Sequence, residues 1–202
     1  MTLDEGYIKY ESHWTPGPAT HVLAARDLER WRRPLYDAQL IGEYAEHGVG
    51  YGNLSVRRGS SGLFLISGTQ TGNLPVTNES HYSLVTDCDI RANVVRCSGP
   101  IQASSEAMTH ASIYALGDAI GAVVHAHSAD LWRHYLGKLP TTNPDVPYGT
   151  PDMARELERL YRMEGLRESG VAVMAGHDDG LISFGTTIEE AAQRMLNLLR
   201  PS

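Results

Sequence analysis

Short strand-like segments alternate with helical segments along most of the chain, and this alternation constrains the fold more strongly than any other sequence feature. The strand-like segments are YGNLSVR (51–57), GLFLIS (62–67), SLVTDCDI (83–90), NVVRC (93–97), GAVVHAH (121–127), GVAVMAG (170–176) and GLISFG (180–185). Strands interleaved with helices predict one α/β domain in which helices cover a sheet. Turns such as RGSSG (58–62) and HDDG (177–180) are too short for crossover helices. Much of the sheet is therefore expected to be antiparallel.

Helices are predicted where capping residues precede a periodic apolar pattern. Thr150 followed by Pro151 marks one helix start. Thr187, with Glu190 three residues later, forms a capping box at another. The segment SSEAMTHASIYAL (104–116) predicts a helix that is capped by serine.

The N-terminal part of the chain has a weaker pattern. Residues 1–25 show no period and are predicted to form an extended arm on a single domain that spans residues 1–202. Helical spacing of apolar residues from Asp27 predicts a first helix whose apolar face continues to about Gly48. Pro34 is expected to kink or divide this helix.

Composition and charge exclude several classes of partner. The 202 residues carry 17 basic and 24 acidic side chains, a net charge of −7 with no basic block, which disfavours nucleic acid and anionic membranes. No apolar run approaches the roughly 18 residues of a membrane helix, and the acidic, polar start is unlike a secretory signal. Cys88 and Cys97 are interpreted as free thiols, so a cytoplasmic protein is expected.

Two histidines end the apolar strand pattern 121–127. His125 and His127 are two positions apart, and because side chains alternate along a strand, both imidazoles leave the same face. His177 stands at the corresponding place after the apolar run VAVMA (171–175). Three neutral imidazoles with one open coordination position are the ligand set of a catalytic zinc site. The spacing alone leaves open the alternative of hydrogen-bonded histidines at the edge of the core.

Small polar residues at strand and helix ends form a candidate anion site. The segment SSE (104–106) begins a predicted helix, where unpaired N–H groups and the helix dipole favour anions. The segments GNLS (52–55) and SGT (67–69) let backbone and short hydroxyls approach a phosphate. Ordinary capping and turn chemistry are the alternatives. His110, one turn after Glu106, shares its helix face and is a candidate to line the site, although a packed or solvated helix histidine is the favoured interpretation.

Together these segments resemble the class II aldolase/adducin family. The matching motifs, in family order, are GNLSVR (52–57), SGTQTGNL (67–74), SSE (104–106), HAH (125–127) and GHDDGLISFG (176–185). The resemblance extends from about the first predicted helix to the last. It implies a three-layer α/β/α sandwich with a largely antiparallel central sheet. It also implies a homotetramer whose active sites lie at subunit interfaces.

The resemblance further implies roles for individual residues. One zinc ion per chain, or another divalent transition metal in its place, would be bound by three histidines, His125, His127 and His177. Glu106 would be the catalytic acid/base. The positions at which sugar-phosphate members hold the phosphate are Asn53, Ser67, Gly68, Ser104 and Ser105. Tyr148 is the first candidate for the family's proton-donating tyrosine, and Tyr135 is the second.

The implied activity is a metal-dependent lyase that makes or breaks an aldol bond in a small sugar or sugar phosphate. The metal would stabilise the enediolate formed when the carbon–carbon bond breaks, and Glu106 would shuttle the proton. Dehydration of a ketose phosphate, as in methylthioribulose-phosphate dehydratases, needs the same residues and stays open. Pentulose-phosphate 4-epimerases tend to have Asp where Glu106 stands, and adducin-like scaffold domains lose the metal ligands, so both are disfavoured.

Overall fold

The computed structural model describes residues 6–59 and 62–200. Its strands are β1 (Glu11–Pro16), β2 (Gly42–Tyr44), β3 (Val49–Tyr51), β4 (Asn53–Arg58), β5 (Leu63–Ser67), β6 (Tyr82–Asp89), β7 (Val94–Gly99), β8 (Ala122–His127), β9 (Val171–Val173) and β10 (Gly180–Gly185). Its helices are α1 (Val22–Asp37), α2 (Ala107–Tyr114), α3 (Ala129–Tyr135), α4 (Pro151–Met163), α5 (Leu166–Ser169) and α6 (Ile188–Asn197). A short 3₁₀ helix occupies Glu79–His81.

Eight of the described strands form one sheet in the order β1-β7-β6-β5-β4-β8-β10-β9. Only the pairing of β1 with β7 is parallel, and the other neighbours within the described chain pair antiparallel. Strands β2 and β3 form a separate two-stranded sheet. Strand β8 lies in the interior of the large sheet between β4 and β10, and all its residues are buried. The end of β8 is therefore the place where the fold brings other segments against the two histidines.

Helices α2 and α4 pack on one face of the large sheet, and α1 and α6 pack on the other. Along β8, Val123 joins the first apolar cluster and Val124 the second, because side chains alternate along a strand. The helices contribute fully buried residues: Met108, Ile113, Leu157 and Leu160 on the first face, and Leu28, Leu35 and Met195 on the second. The protein is a three-layer α/β/α sandwich, which confirms the predicted fold.

The arm predicted for residues 1–25 contributes an edge strand to the large sheet. Strand β1 is extended as predicted and pairs with β7, and the indole N–H of Trp14 donates to the carbonyl of Gly99 at 3.0 Å. Helix α1 starts within the arm, at Val22. Residues 1–5 of the arm lie outside the described part of the chain.

The predicted continuation of the first helix to Gly48 is wrong. Helix α1 runs through Pro34 without being divided and ends at Asp37. Gln39 then adopts a left-handed backbone with φ of 58°, which no helix can continue through. The buried Leu40 and Ile41, whose spacing resembles a helix, belong to the core beneath the large sheet, and the chain goes on into the β2–β3 hairpin.

Most predicted caps and turns are present. The hydroxyls of Thr150 and Thr187 accept the backbone N–H groups of Met153 and Glu190. The predicted capping box is half formed, because the Glu190 carboxylate accepts from the backbone N–H of Thr186 instead of that of Thr187. The N-cap of α2 is Glu106 instead of a serine, and it has no side-chain cap bond. The turn predicted at 58–62 joins β4 to β5, although Ser60 and Ser61 lie outside the described residues.

None of the helices in the described part is long and apolar enough to cross a membrane.

Candidate metal centre and acid/base site

Strand β8 presents two histidines on the face that α2 and α4 cover. His125 and His127 alternate with Ala126, so their side chains lie on the same side of the sheet as Val123, which packs in the α2/α4 core. Both histidines are buried. The predicted common face of the two imidazoles is therefore present at the end of a central strand.

His177 reaches the same place from the turn between β9 and β10. Its backbone N–H donates to the carbonyl of Met174, and its own carbonyl accepts the N–H of Gly180, which closes the turn. Gly180 lies directly beneath the His177 ring: a Cβ at that position would come within 2.7 Å of Cδ2 of His177. A side chain at position 180 would force the imidazole to shift, so Gly180 makes room for His177 at the cluster.

The three imidazoles form one compact, buried cluster. A ligating nitrogen from each of His125, His127 and His177 lies within 4.8 Å of the other two. The Nε2 atoms of His125 and His127 are 2.9 Å apart, and the rings of His125 and His177 are stacked with centroids 5.2 Å apart. Three buried imidazole nitrogens gathered this closely are a donor set that suits a divalent transition-metal ion.

The nitrogen of each β8 histidine that points away from the cluster has a hydrogen-bond partner. Nδ1 of His125 donates to the carbonyl of Leu181 at 3.0 Å, which leaves the Nε2 lone pair of His125 directed at the cluster. Nδ1 of His127 lies 2.9 Å from the hydroxyl of Tyr44. Such partners orient ligating imidazoles and fix their tautomers.

Glu106 places its carboxylate beside the cluster. It stands at the start of α2 and is fully buried, with Oε1 3.2 Å from Nε2 of His177 and 3.9 Å from Nε2 of His125. Its backbone N–H donates to Oγ of Ser104 at 3.2 Å. A buried carboxylate held beside two of the three imidazoles has the geometry of a general acid/base that works next to a metal.

The residues predicted to hold a phosphate are brought together next to this cluster. Asn53 pairs directly with His125 across the β4–β8 ladder, so both side chains lie on the same face. The backbone N–H of Ser104 donates to the carbonyl of Ser67 at 3.1 Å, which joins the start of α2 to the end of β5. Gly68 bridges to Ala103 in the same junction. Asn53, Ser67, Ser104 and Ser105 are all buried.

The two candidate tyrosines lie in different surroundings. The Tyr148 ring packs against His177 with centroids 4.2 Å apart, and its hydroxyl donates to the carbonyl of Tyr7 at 2.9 Å. The Tyr135 hydroxyl donates to the carbonyl of Leu198, just after α6. Tyr148 thus adjoins the metal-ligand candidates, whereas Tyr135 is bonded to the other layer of the sandwich.

Sequence reasoning missed Tyr44 and left the place of His110 open. Tyr44 falls in the segment predicted as helix, so its approach to His127 has no local signal. His110 is packed, one of its two favoured interpretations: it is fully buried, with Nδ1 2.7 Å from the hydroxyl of Ser55. The same hydroxyl lies 2.7 Å from that of Tyr114. The i, i+4 spacing of Glu106 and His110 was the available signal for a buried neighbour of the carboxylate.

Burial of His110 is expected to make the protein acid-sensitive. Burial lowers the pKa of His110 from its ordinary value of 6.5 to about 4, opposed in part by the charge of Glu106. The unfolded chain binds a proton below pH 6.5, whereas the folded chain resists it until about pH 4. The contribution of His110 to the free energy of unfolding is therefore fully present above pH 6.5 and is lost as the pH drops towards 4. For His110 alone the loss between about pH 7.5 and about pH 5 is roughly 2 kcal/mol.

Urea unfolding of the metal-free protein at these two pH values measures this effect. On acidification, the free energy of unfolding of His110→Asn is expected to fall by roughly 2 kcal/mol less than that of wild type. His134→Asn is the matched control, since the His134 side chain is exposed on α3. Equal acid sensitivity in wild type and His110→Asn would contradict the prediction.

Comparisons with known proteins identify the fold and the family. The model of the family described as "Class II Aldolase and Adducin N-terminal domain" matches residues 38–200. YgbL from Escherichia coli, a putative aldolase/epimerase/decarboxylase, is 21% identical with a TM-score of 0.64, over 86% of this chain and 84% of that one. An L-fuculose 1-phosphate aldolase is 17% identical with a TM-score of 0.65, over 90% and 86% of the two chains. A sugar-phosphate aldolase from Thermotoga maritima is 17% identical with a TM-score of 0.64, over 87% and 90%.

No curated protein sequence matches the chain. The solved structures share its fold at low sequence identity, and the family model covers the histidine cluster, Glu106 and the candidate phosphate residues. As its motifs predicted, the chain belongs to the class II aldolase and adducin family.

Proposed function

We propose that the protein is a metal-dependent lyase that cleaves or forms an aldol carbon–carbon bond in a small sugar or sugar phosphate. The observation that carries the proposal is the buried carboxylate of Glu106, 3.2 Å from His177 in a cluster of three histidines. A metal-ligand set and an acid/base in contact are what reversible deprotonation next to a carbonyl needs.

In this proposal His125, His127 and His177 hold one zinc ion per chain. Three imidazoles are a common ligand set for catalytic zinc, and other divalent transition metals accept the same donors. When bound, the ion supplies Lewis-acid polarisation of the substrate's carbonyl oxygen. The hydrogen bond from His125 to Leu181 keeps the ligand lone pair in place without reorganisation.

Glu106 is the proposed proton carrier. Its Oε1 takes the proton from the carbon next to the substrate carbonyl when the bond is made, and returns it when the bond is cleaved. The buried position of Glu106 excludes bulk water from this transfer. Tyr148 is proposed as the proton donor on the other fragment, and its ring contact with His177 supports this role.

The proposed substrate carries a phosphate or a hydroxyl group at the junction of β4, β5 and α2. Short hydroxyls, the amide of Asn53 and the backbone of Gly68 surround this junction, with Ser104 and Ser105 as the hydroxyl donors. The Ser67 hydroxyl is bonded to the backbone N–H and carbonyl of Leu54 and must leave the carbonyl to donate to a ligand. Asn53 Oδ1 is buried and has no hydrogen-bond partner within the described residues, so this acceptor is available to a hydroxyl group of a ligand. The name of one neighbour, an L-fuculose 1-phosphate aldolase, supports a ketose 1-phosphate as the first substrate to test.

A screen of phosphorylated and free ketoses with zinc-loaded protein tests the proposal. We expect one ketose to be cleaved into two carbonyl fragments, and we expect EDTA to abolish the reaction. Dihydroxyacetone phosphate in D₂O provides a half-reaction, in which the protein should exchange a C–H proton of the ketone. If the loaded protein instead dehydrates or epimerises a ketose phosphate, the assignment of an aldol carbon–carbon cleavage is wrong.

A homotetramer in the cytoplasm is the proposed working form. The family resemblance supports the tetramer, and the two free cysteines, Cys88 and Cys97, support a reducing compartment. Light scattering at micromolar concentration should give about four times the chain mass of 22.1 kDa. A monomer under these conditions would contradict the prediction.

A further inference from the structure

The β2–β3 hairpin lies outside the large sheet and places two tyrosines against one metal-ligand candidate. Tyr44 ends β2 and Tyr51 ends β3, and their ring centroids are 4.7 Å apart. The centroid of the His127 ring is 6.0 Å from that of Tyr44 and 5.5 Å from that of Tyr51. Only Tyr44 brings its hydroxyl to His127 in the described structure, at 2.9 Å from Nδ1. The Tyr51 hydroxyl donates to the carbonyl of Gln39.

In metal-free protein with both rings neutral, the hydrogen bonds around His127 run in one direction. A carbonyl can only accept, so the bond to Leu181 places the proton of neutral His125 on Nδ1 and a lone pair on its Nε2. With the 2.9 Å contact between the two Nε2 atoms as a hydrogen bond, Nε2 of neutral His127 is the donor to that lone pair. A neutral imidazole has one N–H, so Nδ1 of His127 then accepts a hydrogen bond from the Tyr44 hydroxyl.

Ligation requires the opposite tautomer of His127. To offer a lone pair from Nε2, the ring must carry its proton on Nδ1, and that N–H then needs an acceptor. A tyrosine hydroxyl can donate to Nδ1 in one state and accept from it in the other. A backbone carbonyl, the partner of His125, can only accept and so allows only one tautomer of the ring that it contacts.

We propose that Tyr44 is a positioning residue for the metal centre, because its hydroxyl holds the His127 ring in one orientation in both tautomers. The inference rests on the proposed function, in which His127 is a ligand. The hairpin thereby gains a role: the rings of Tyr44 and Tyr51 confine His127 while the Tyr44 hydroxyl rotates from donor to acceptor. Loss of an outer hydrogen bond of this kind costs about tenfold to a hundredfold in metal affinity.

Zinc affinity of the chelator-stripped protein tests the proposal without any substrate. Zn²⁺ is titrated against a chromophoric chelator for wild type, Tyr44→Phe and Tyr51→Phe. We expect Tyr44→Phe to raise the zinc Kd about tenfold to a hundredfold. Tyr51→Phe, the matched control, removes a hydroxyl from the same hairpin and should keep a Kd close to wild type. Equal Kd values for wild type and Tyr44→Phe would overturn the inference and leave the proposed function standing.

A second measurement on the wild-type protein does not depend on how the variant folds. Long-range ¹H–¹⁵N spectra of ¹⁵N-histidine protein report the tautomer of each imidazole. We expect His127 to carry its proton on Nε2 without metal and on Nδ1 with zinc, whereas His125 keeps its proton on Nδ1 throughout. One unchanged tautomer of His127 in both states would overturn the inference. A wild-type protein that binds no zinc would overturn the proposed function and this inference together.

Discussion

Replacing Glu106 by glutamine is expected to lower kcat by about 10² to 10⁴, the usual contribution of a positioned acid/base. The amide has nearly the shape of the carboxylate, so the fold and the histidine cluster should persist. The amide cannot carry the proton, however, so the chemical step is slowed. KM should change little because the lost interaction belongs to the transition state. The measurement is steady-state kinetics of zinc-loaded protein on the best ketose phosphate from the screen.

A matched control separates this role from a general effect of lost charge. Glu156→Gln removes a carboxylate that is paired with Arg159 on α4, and kcat should stay at the wild-type value. If Glu106 only supported the start of α2, Glu106→Gln would change stability by a few tenths of a kcal/mol and leave kcat unchanged. An unchanged kcat with full metal content would remove Glu106 from the mechanism.

The second large effect is expected from His177→Ala. Removal of one of three imidazoles leaves two protein ligands, too few for a site of this class. The metal affinity should fall by more than the roughly hundredfold that an outer hydrogen-bond partner contributes. Protein purified without a histidine tag should contain about one metal ion per chain, and the variant should contain close to none.

His134→Ala controls for the loss of a histidine as such, because His134 is exposed on α3. Its metal content should equal that of wild type, and circular dichroism should show that both variants are folded. Equal metal in His177→Ala and wild type would show that His177 is not a ligand.

Sequence reasoning predicted the elements whose signals are local. The caps at Thr150 and Thr187 and the alternation along β8 depend on neighbouring residues only, and the structure contains all three. The helix predicted for the segment after α1 was wrong because Leu40, Ile41 and Tyr44 have helical spacing. What ends the helix is the left-handed backbone at Gln39, and glutamine gives no signal for that conformation.

The residues of the candidate site also fall into those with a local sequence signal and those without one. His125 and His127 could be found from one strand, and His177 from its similar place after another. The approach of Tyr44 to His127 and of His110 to Ser55 depends on long-range packing, which no local pattern encodes. The bond between the Tyr148 hydroxyl and the carbonyl of Tyr7 was beyond sequence reasoning for the same reason.

The position of β10 between β8 and β9 has a consequence for biosynthesis. During synthesis β8 leaves the ribosome long before Gly180, so the edge that β10 will cover stays open for that interval. An apolar, unpaired edge is a template for wrong pairing between chains. His177 also joins the other two histidines only when this last pairing closes, so a nascent or truncated chain without β10 cannot assemble the three-histidine cluster. A metal ion held by all three histidines would then bind only after β10 has paired with β8, and it would stabilise those chains selectively.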